Sequence, residues 1–213
     1  MEESTTKEKI LKEVRNALIS QRENPFADID FNKPVFHNLK EEPAIQFAMS
    51  LNDIGGQLVY CQNEKEIGTN LKLLMEKKNW KSVYSIDEDL VNFLKKEGVN
   101  VDDNPENFLD QQTGVTRCDF LISRFGSIMV SSGIKSGRRM FVFPETHIVV
   151  AATSQIVPEL KDALKGMKRK YPDNFPSQVS VITGPSRTDD IEKTLVMGAH
   201  GPKNLYVFLV DNG

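Results

Sequence analysis

Between residues 43 and 98 the chain alternates between helical and strand-like hydrophobic patterns, and this restricts the fold more than any other feature. Ala44 to Ile54 carries a helical pattern stopped by Gly55-Gly56, and Gln57-Leu58-Val59-Tyr60-Cys61 reads as a strand. Glu64 to Lys78 puts Ile67, Leu71, Leu74 and Met75 on one helical face. Ser82-Val83-Tyr84-Ser85 is a short strand, and Asp87 to Glu97 a helix closed by Gly98. Strand and helix in this order demand a parallel sheet with helices on its faces.

The middle of the chain is different. Cys118 to Ser123, Ser127 to Ser131, Arg139 to Phe143 and Ile148 to Thr153 are four apolar runs separated by Gly126, Gly133, Gly137 and Pro144. Four strands without intervening helices predict an antiparallel or mixed patch attached to the parallel sheet. Pro158 to Lys170 restores a helix with proline in its first turn, and Val179 to Ile182 and Leu205 to Val210 are closing strands. The expected fold is α/β, with a mixed, largely parallel sheet and flanking helices. Ahead of it, residues 5–21 form a helix that Thr5 and Glu8 can cap, with Ile10, Leu11, Val14 and Leu18 as its apolar stripe. Asn24 to His37 has no period and reads as an extended arm, packed at the terminus or reaching a second copy. This divides the chain into a helix and arm, residues 1–40, and an α/β domain, residues 41–213.

Composition removes several function classes. The formal net charge of −3, from 27 basic and 30 acidic residues, is the wrong sign for a general nucleic-acid binder. Cys61 and Cys118 are too few for a disulfide scaffold or an iron–sulfur cluster, and with three histidines no metal site is expected. The acidic start Met1-Glu2-Glu3-Ser4 has no apolar export segment behind it, and no stretch is long enough to span a membrane. With its free thiols, the chain is expected in the cytoplasm.

Two turns near the end carry the most chemistry. Thr183-Gly184-Pro185-Ser186-Arg187-Thr188 follows a strand, and Ser186 or Thr188 can cap a following helix whose first turn holds Asp189, Asp190 and Glu192. At the carboxyl edge of an α/β sheet such a turn suits a phosphate or carboxylate, with Arg187 as cation. The same residues also suit a purely structural cap, since Pro185 removes one donor and three acids weaken the field. His200-Gly201-Pro202-Lys203 is a rigid turn in which His200 can exchange protons near neutral pH or contact an anion. The two turns meet if strands 179–182 and 205–210 are neighbours.

Ile182 to Glu192, followed by Val196-Met197-Gly198-Ala199-His200-Gly201-Pro202-Lys203, closely resembles the carboxyl-terminal signature of the LUD domain. The resemblance is narrowest to the lactate-utilisation protein C, or YkgG-like, family. Gly114-Val115-Thr116, Gly126-Ser127 and Pro144 to His147 match weaker motifs in the expected order, so that residues 40–210 are covered. The resemblance implies a fold similar to the NagB/RpiA/CoA-transferase-like group of sugar-phosphate isomerases and CoA transferases. It also implies a cytoplasmic role as an accessory subunit oxidising L-lactate to pyruvate. This chain would hold no cofactor, and its partner subunits would carry the iron–sulfur clusters.

The anion-binding candidates are Gly184, Ser186, Arg187, Thr188, Gly201 and Lys203. His200 and His147 are the catalytic candidates. One departure is Arg124-Phe125-Gly126-Ser127, where family members commonly show Glu-Thr before the glycine. An arginine can bind an anion but cannot act as nucleophile or base. Arg138-Arg139 reads as a solvated basic doublet in a hairpin loop, and Lys165 to Lys170 as cations suited to a helix C-terminus. Two rival readings remain: a stand-alone enzyme for a phosphorylated or acyl-CoA-like molecule using Arg187, His200 and Lys203, and a regulatory module docking through residues 22–40. A homo-oligomer is compatible with each.

Overall fold

A computed structural model of the chain describes residues 5–19, 26–30, 33, 36–37, 39–189 and 195–212. The chain forms two compact units, Met1–Asn38 and Leu39–Gly213. In the first, helix α1 (Thr6–Ile19) begins at a capping box. The Thr5 amide donates to Glu8 Oε2 at 2.8 Å, and the Glu8 amide donates back to Thr5 Oγ1 at 3.3 Å. Residues 20 and 21 of the expected helix lie outside the described residues. The apolar stripe Ile10, Leu11, Val14 and Leu18 is exposed.

The second unit begins with α2 (Pro43–Asp53), β1 (Gln57–Cys61), α3 (Glu64–Lys78), β2 (Val83–Tyr84), α4 (Glu88–Lys96), β3 (Val101–Asp102) and β4 (Thr113–Arg117). Side chains set the helix starts: Asn63 accepts from the Glu66 amide and Asp87 from the Leu90 amide. Then come β5 (Phe120–Ile122), β6 (Ser127–Ser131), β7 (Thr146–Ala152), β8 (Ile156–Val157) and α5 (Leu160–Lys170). The chain closes with β9 (Val179–Ile182), β10 (Arg187–Asp189), β11 (Leu195–Met197) and β12 (Asn204–Val210).

Six strands make one wholly parallel sheet in the order β1-β12-β7-β4-β2-β3. Strand β12 shows why it is central. Tyr206, Phe208 and Val210 pack toward α3 and α4, whereas Leu205, Val207 and Leu209 join α2, β5 and β6 on the other face. A strand buried on both faces needs this uninterrupted apolar run. The mixed character expected of the sheet resides in a second, four-stranded sheet, β8-β5-β6-β9. Its pairs β5–β6 and β6–β9 are antiparallel. Ala163 and Met167 of α5 pack against Ile122 and Met129 of this sheet.

Two local expectations are corrected. Arg139 to Phe143 is not a strand; Arg138–Phe141 is a 3-10 turn. Gly137 enters it at φ +74°, Met140 and Phe141 are buried, and the Arg139 guanidinium stacks 4.2 Å from the Phe108 ring centre. The basic doublet is therefore not in a hairpin loop. Pro158 lies outside the first turn of α5, which starts at Leu160 after Glu159.

Candidate functional site

The signature turns lie at the amino edge of the parallel sheet, where β1, β7 and β12 begin, rather than at its carboxyl edge. Strand β9 belongs to the second sheet, so it is not a neighbour of β12. The turns meet all the same: the Ser186 amide donates to the Pro202 carbonyl at 2.8 Å, and the Gly198 amide to the Ser186 carbonyl at 3.0 Å. Among the described residues no helix follows Thr188. Residues 187–189 pair antiparallel with 195–197, Thr188 opposite Val196, because ladder bonds occupy the backbone groups that a helix start would leave open. Asp190, Ile191 and Glu192 lie outside the described residues.

The two cations of the signature, Arg187 and Lys203, each hold a protein partner. Arg187 donates to the Ile54 carbonyl at the end of α2. Gly184, at φ +78°, passes so close that a Cβ there would lie 2.6 Å from the same carbonyl oxygen. Lys203 Nζ is 3.0 Å from Glu145 Oε1, and the backbone amides of Lys203 and Asn204 donate to the Glu145 carbonyl. Gly201 faces Ser186, where a Cβ would be 3.2 Å from the serine Cβ. Thr188 sits in the ladder, and His200 is exposed in a shallow 460 Å³ depression with Glu145 and Lys203.

His147 is separated from His200 by burial. It is wholly enclosed in β7, with Nε2 2.8 Å from Thr116 Oγ1 and Nδ1 without a partner among the described residues. Burial pushes its pKa down to about 4, so the ring is neutral at pH 7. Arg124 is also committed: its Nε donates to Glu159 Oε1 at 2.8 Å, which ties the turn after β5 to the start of α5.

A larger cavity, about 760 Å³, opens at the opposite end of the sheet. It lies where β4, β7 and β12 finish, at Arg117, Ala152 and Val210, and where α3 and α4 start. Carboxyl ends of parallel strands are the usual ligand position in α/β folds. The C-terminus of α5 brings Lys170 and Tyr171 to its wall. Beneath them Asp119 is buried; its Oδ1 accepts from Lys170 Nζ at 2.7 Å and from the Tyr171 hydroxyl at 2.9 Å. Burial alone would lower the Lys170 pKa, but Asp119 overrides it and holds the ammonium above its ordinary value. Cys118 also lines the cavity, but burial, reinforced by Asp119, pushes its thiol well up and out of nucleophilic use. Among the described residues no group of three or more His, Cys, Asp or Glu is placed to hold a metal ion.

The family profile described as the LUD domain matches residues 44–210, which takes in every strand of both larger sheets. The chain belongs to the LUD-domain family. Relatives named "Lactate utilization protein C" include one from Geobacillus sp. (strain WCH70), 36% identical over 101 residues, or 46% of this chain and 42% of that one. One from Macrococcus caseolyticus is 35% identical over 101 residues, 46% and 44% of the two chains. One from Anoxybacillus flavithermus is 33% identical over 129 residues, 57% of each. The chain thus spans about half the length of the curated relatives it matches. A crystal structure described as a DUF162-family protein from Deinococcus radiodurans superposes with a TM-score of 0.60 at 21% identity, over 79% of this LUD-domain chain and 96% of that one. That likeness establishes the shared fold.

Sequence reasoning found the signature but missed Arg117, Asp119 and Tyr171, and took Lys170 only as a cation suited to a helix end. Arg117-Cys118-Asp119 carries one usable signal, two opposite charges flanking a cysteine where β4 ends. Lys170 and Tyr171 reach it only through the packing of α5.

Proposed function

We propose that this chain is a cytoplasmic accessory subunit for lactate utilisation, serving the oxidation of L-lactate to pyruvate. The observation that carries this reading is its similarity, at 33–36% identity, to proteins named for lactate utilisation, within a LUD-domain match over residues 44–210. Two buried cysteines far apart in the chain, Cys61 and Cys118, supply too few thiolates for a cluster. Iron–sulfur chemistry in this proposal therefore belongs to partner subunits, and electrons do not pass through a centre of this chain. Among the described residues no helix is long and apolar enough to cross a membrane.

Disrupting the gene tests the role. Growth on L-lactate, and lactate oxidation by cell extracts, should fall sharply and return with the intact gene; unchanged growth and oxidation would reject it. Affinity purification from lactate-grown cells should co-elute iron-containing proteins. The stand-alone enzyme built on Arg187, His200 and Lys203 gains no support from the geometry, since both cations hold protein acceptors.

A further inference from the structure

The carboxyl-edge cavity has the size and lining of a small-molecule site. Its 760 Å³ falls within the roughly 300–1,000 Å³ of such sites and equals the liquid volume of about 25 waters. A three-carbon acid such as lactate would leave most of it empty. Ile67, Leu90, Phe93, Val150 and Val210 give it an apolar floor on the α3–α4 side of the sheet.

The charges on its wall are equal in number but unequal in commitment. Lys135 and Asp89 pair at 2.7 Å in the solvent, both about two-thirds exposed, and satisfy each other. Asp87 is nearly buried and spends Oδ1 capping α4. Its Oδ2 forms a long ion pair with Arg117 Nε at 3.8 Å, beyond hydrogen-bond range. The Arg117 guanidinium is half exposed and makes no hydrogen bond among the described residues, so its planar set of N–H donors is available. Lys170 gives one N–H to Asp119 and is still 43% exposed.

Asp119 shows that this wall is built rather than incidental. Its side chain is fully buried, and Oδ2 has no partner among the described residues. Enclosing a carboxylate is costly unless it is paired, and here it fixes Lys170 and Tyr171 at the opening. Gly133 permits the closure, because a Cβ there would lie 2.7 Å from the Tyr171 ring. Across the cavity Glu64 is exposed at the start of α3.

We propose that this cavity binds an organic anion of cofactor size: its acidic group held by Arg117, with Lys170 as second cation, and its apolar body on the Phe93–Val150–Val210 floor. Glu64 accepts from hydroxyl or amino groups at the ligand's other end. The proposal stands apart from the lactate role, because it concerns binding by the purified chain alone.

The test titrates the full chain with 1-anilinonaphthalene-8-sulfonate, an apolar body bearing one sulfonate, and follows its fluorescence. Saturable binding is expected, weakened about tenfold by Arg117→Gln. Glu64→Gln, which removes a repelling charge, should tighten it by about twofold to fivefold. Lys161→Gln, on the surface of α5, should leave it unchanged. Absence of saturable binding, or binding indifferent to Arg117→Gln, overturns the proposal. So does a signal abolished by Val14→Asp with Arg117→Gln unaffected, since the dye then sits on the exposed stripe of α1.

Discussion

The two ends of the parallel sheet use their polar groups in opposite ways. At the amino edge the signature turns spend them on the protein itself: Arg187 on Ile54, Lys203 on Glu145, the Ser186 amide on Pro202. At the carboxyl edge Arg117 lies beside a large cavity without a hydrogen bond among the described residues, and a buried carboxylate orients Lys170 and Tyr171. A specific motif can therefore hold its polar groups in internal contacts, while available polar groups and a cavity lie at the other end of the same strands.

The sharpest way to break this contrast is Gly184→Val. It forces a β-branched residue to φ +78° with its Cβ against the Ile54 carbonyl. Urea denaturation should show a loss of about 3–5 kcal/mol. A near-neutral result would mean that the turn is not a lock.

The second prediction concerns His147. Its folded pKa of about 4 lies below the ordinary 6.5, so protons bind the unfolded chain more readily. The contribution is full above pH 6.5, is lost as pH falls toward 4, and amounts to about 3 kcal/mol at 1.36 kcal/mol per unit. Denaturation midpoints across that window check it. His147→Gln should flatten the slope even if it lowers stability throughout.

Arg187→Ala has the smallest expected cost, about 1 kcal/mol, because the side chain is exposed although it donates to a helix-terminal carbonyl. Thermal unfolding would measure it. The anilinonaphthalene-sulfonate affinity should not move.

Sequence periodicity recovered the regular elements where local pattern and tertiary role agree. Helix α3 has its cap at Asn63 and its apolar face at Ile67, Leu71 and Met75, all within one segment. Strand β4 escaped notice as a strand because Thr113 and Thr116 are buried polar residues in a run of five. Thr116 is accepted there only because it meets His147, which is 31 residues away. The helix expected after Thr188 failed for a related reason: good capping residues were outcompeted by a ladder to residues 195–197. Arg117, Asp119 and Lys170 were illegible as a group because 51 residues separate the ion-paired Asp119 and Lys170, and only the placement of α5 unites them.

The contrast between the two sheet edges turns on where a ligand binds. Backbone amide shifts of the full chain should be recorded by NMR during titration with 1-anilinonaphthalene-8-sulfonate. The largest saturable shifts are expected at Arg117, Cys118, Ala152, Lys170 and Tyr171. Shifts concentrated instead at Gly184–Thr188 and His200–Lys203 would contradict that contrast.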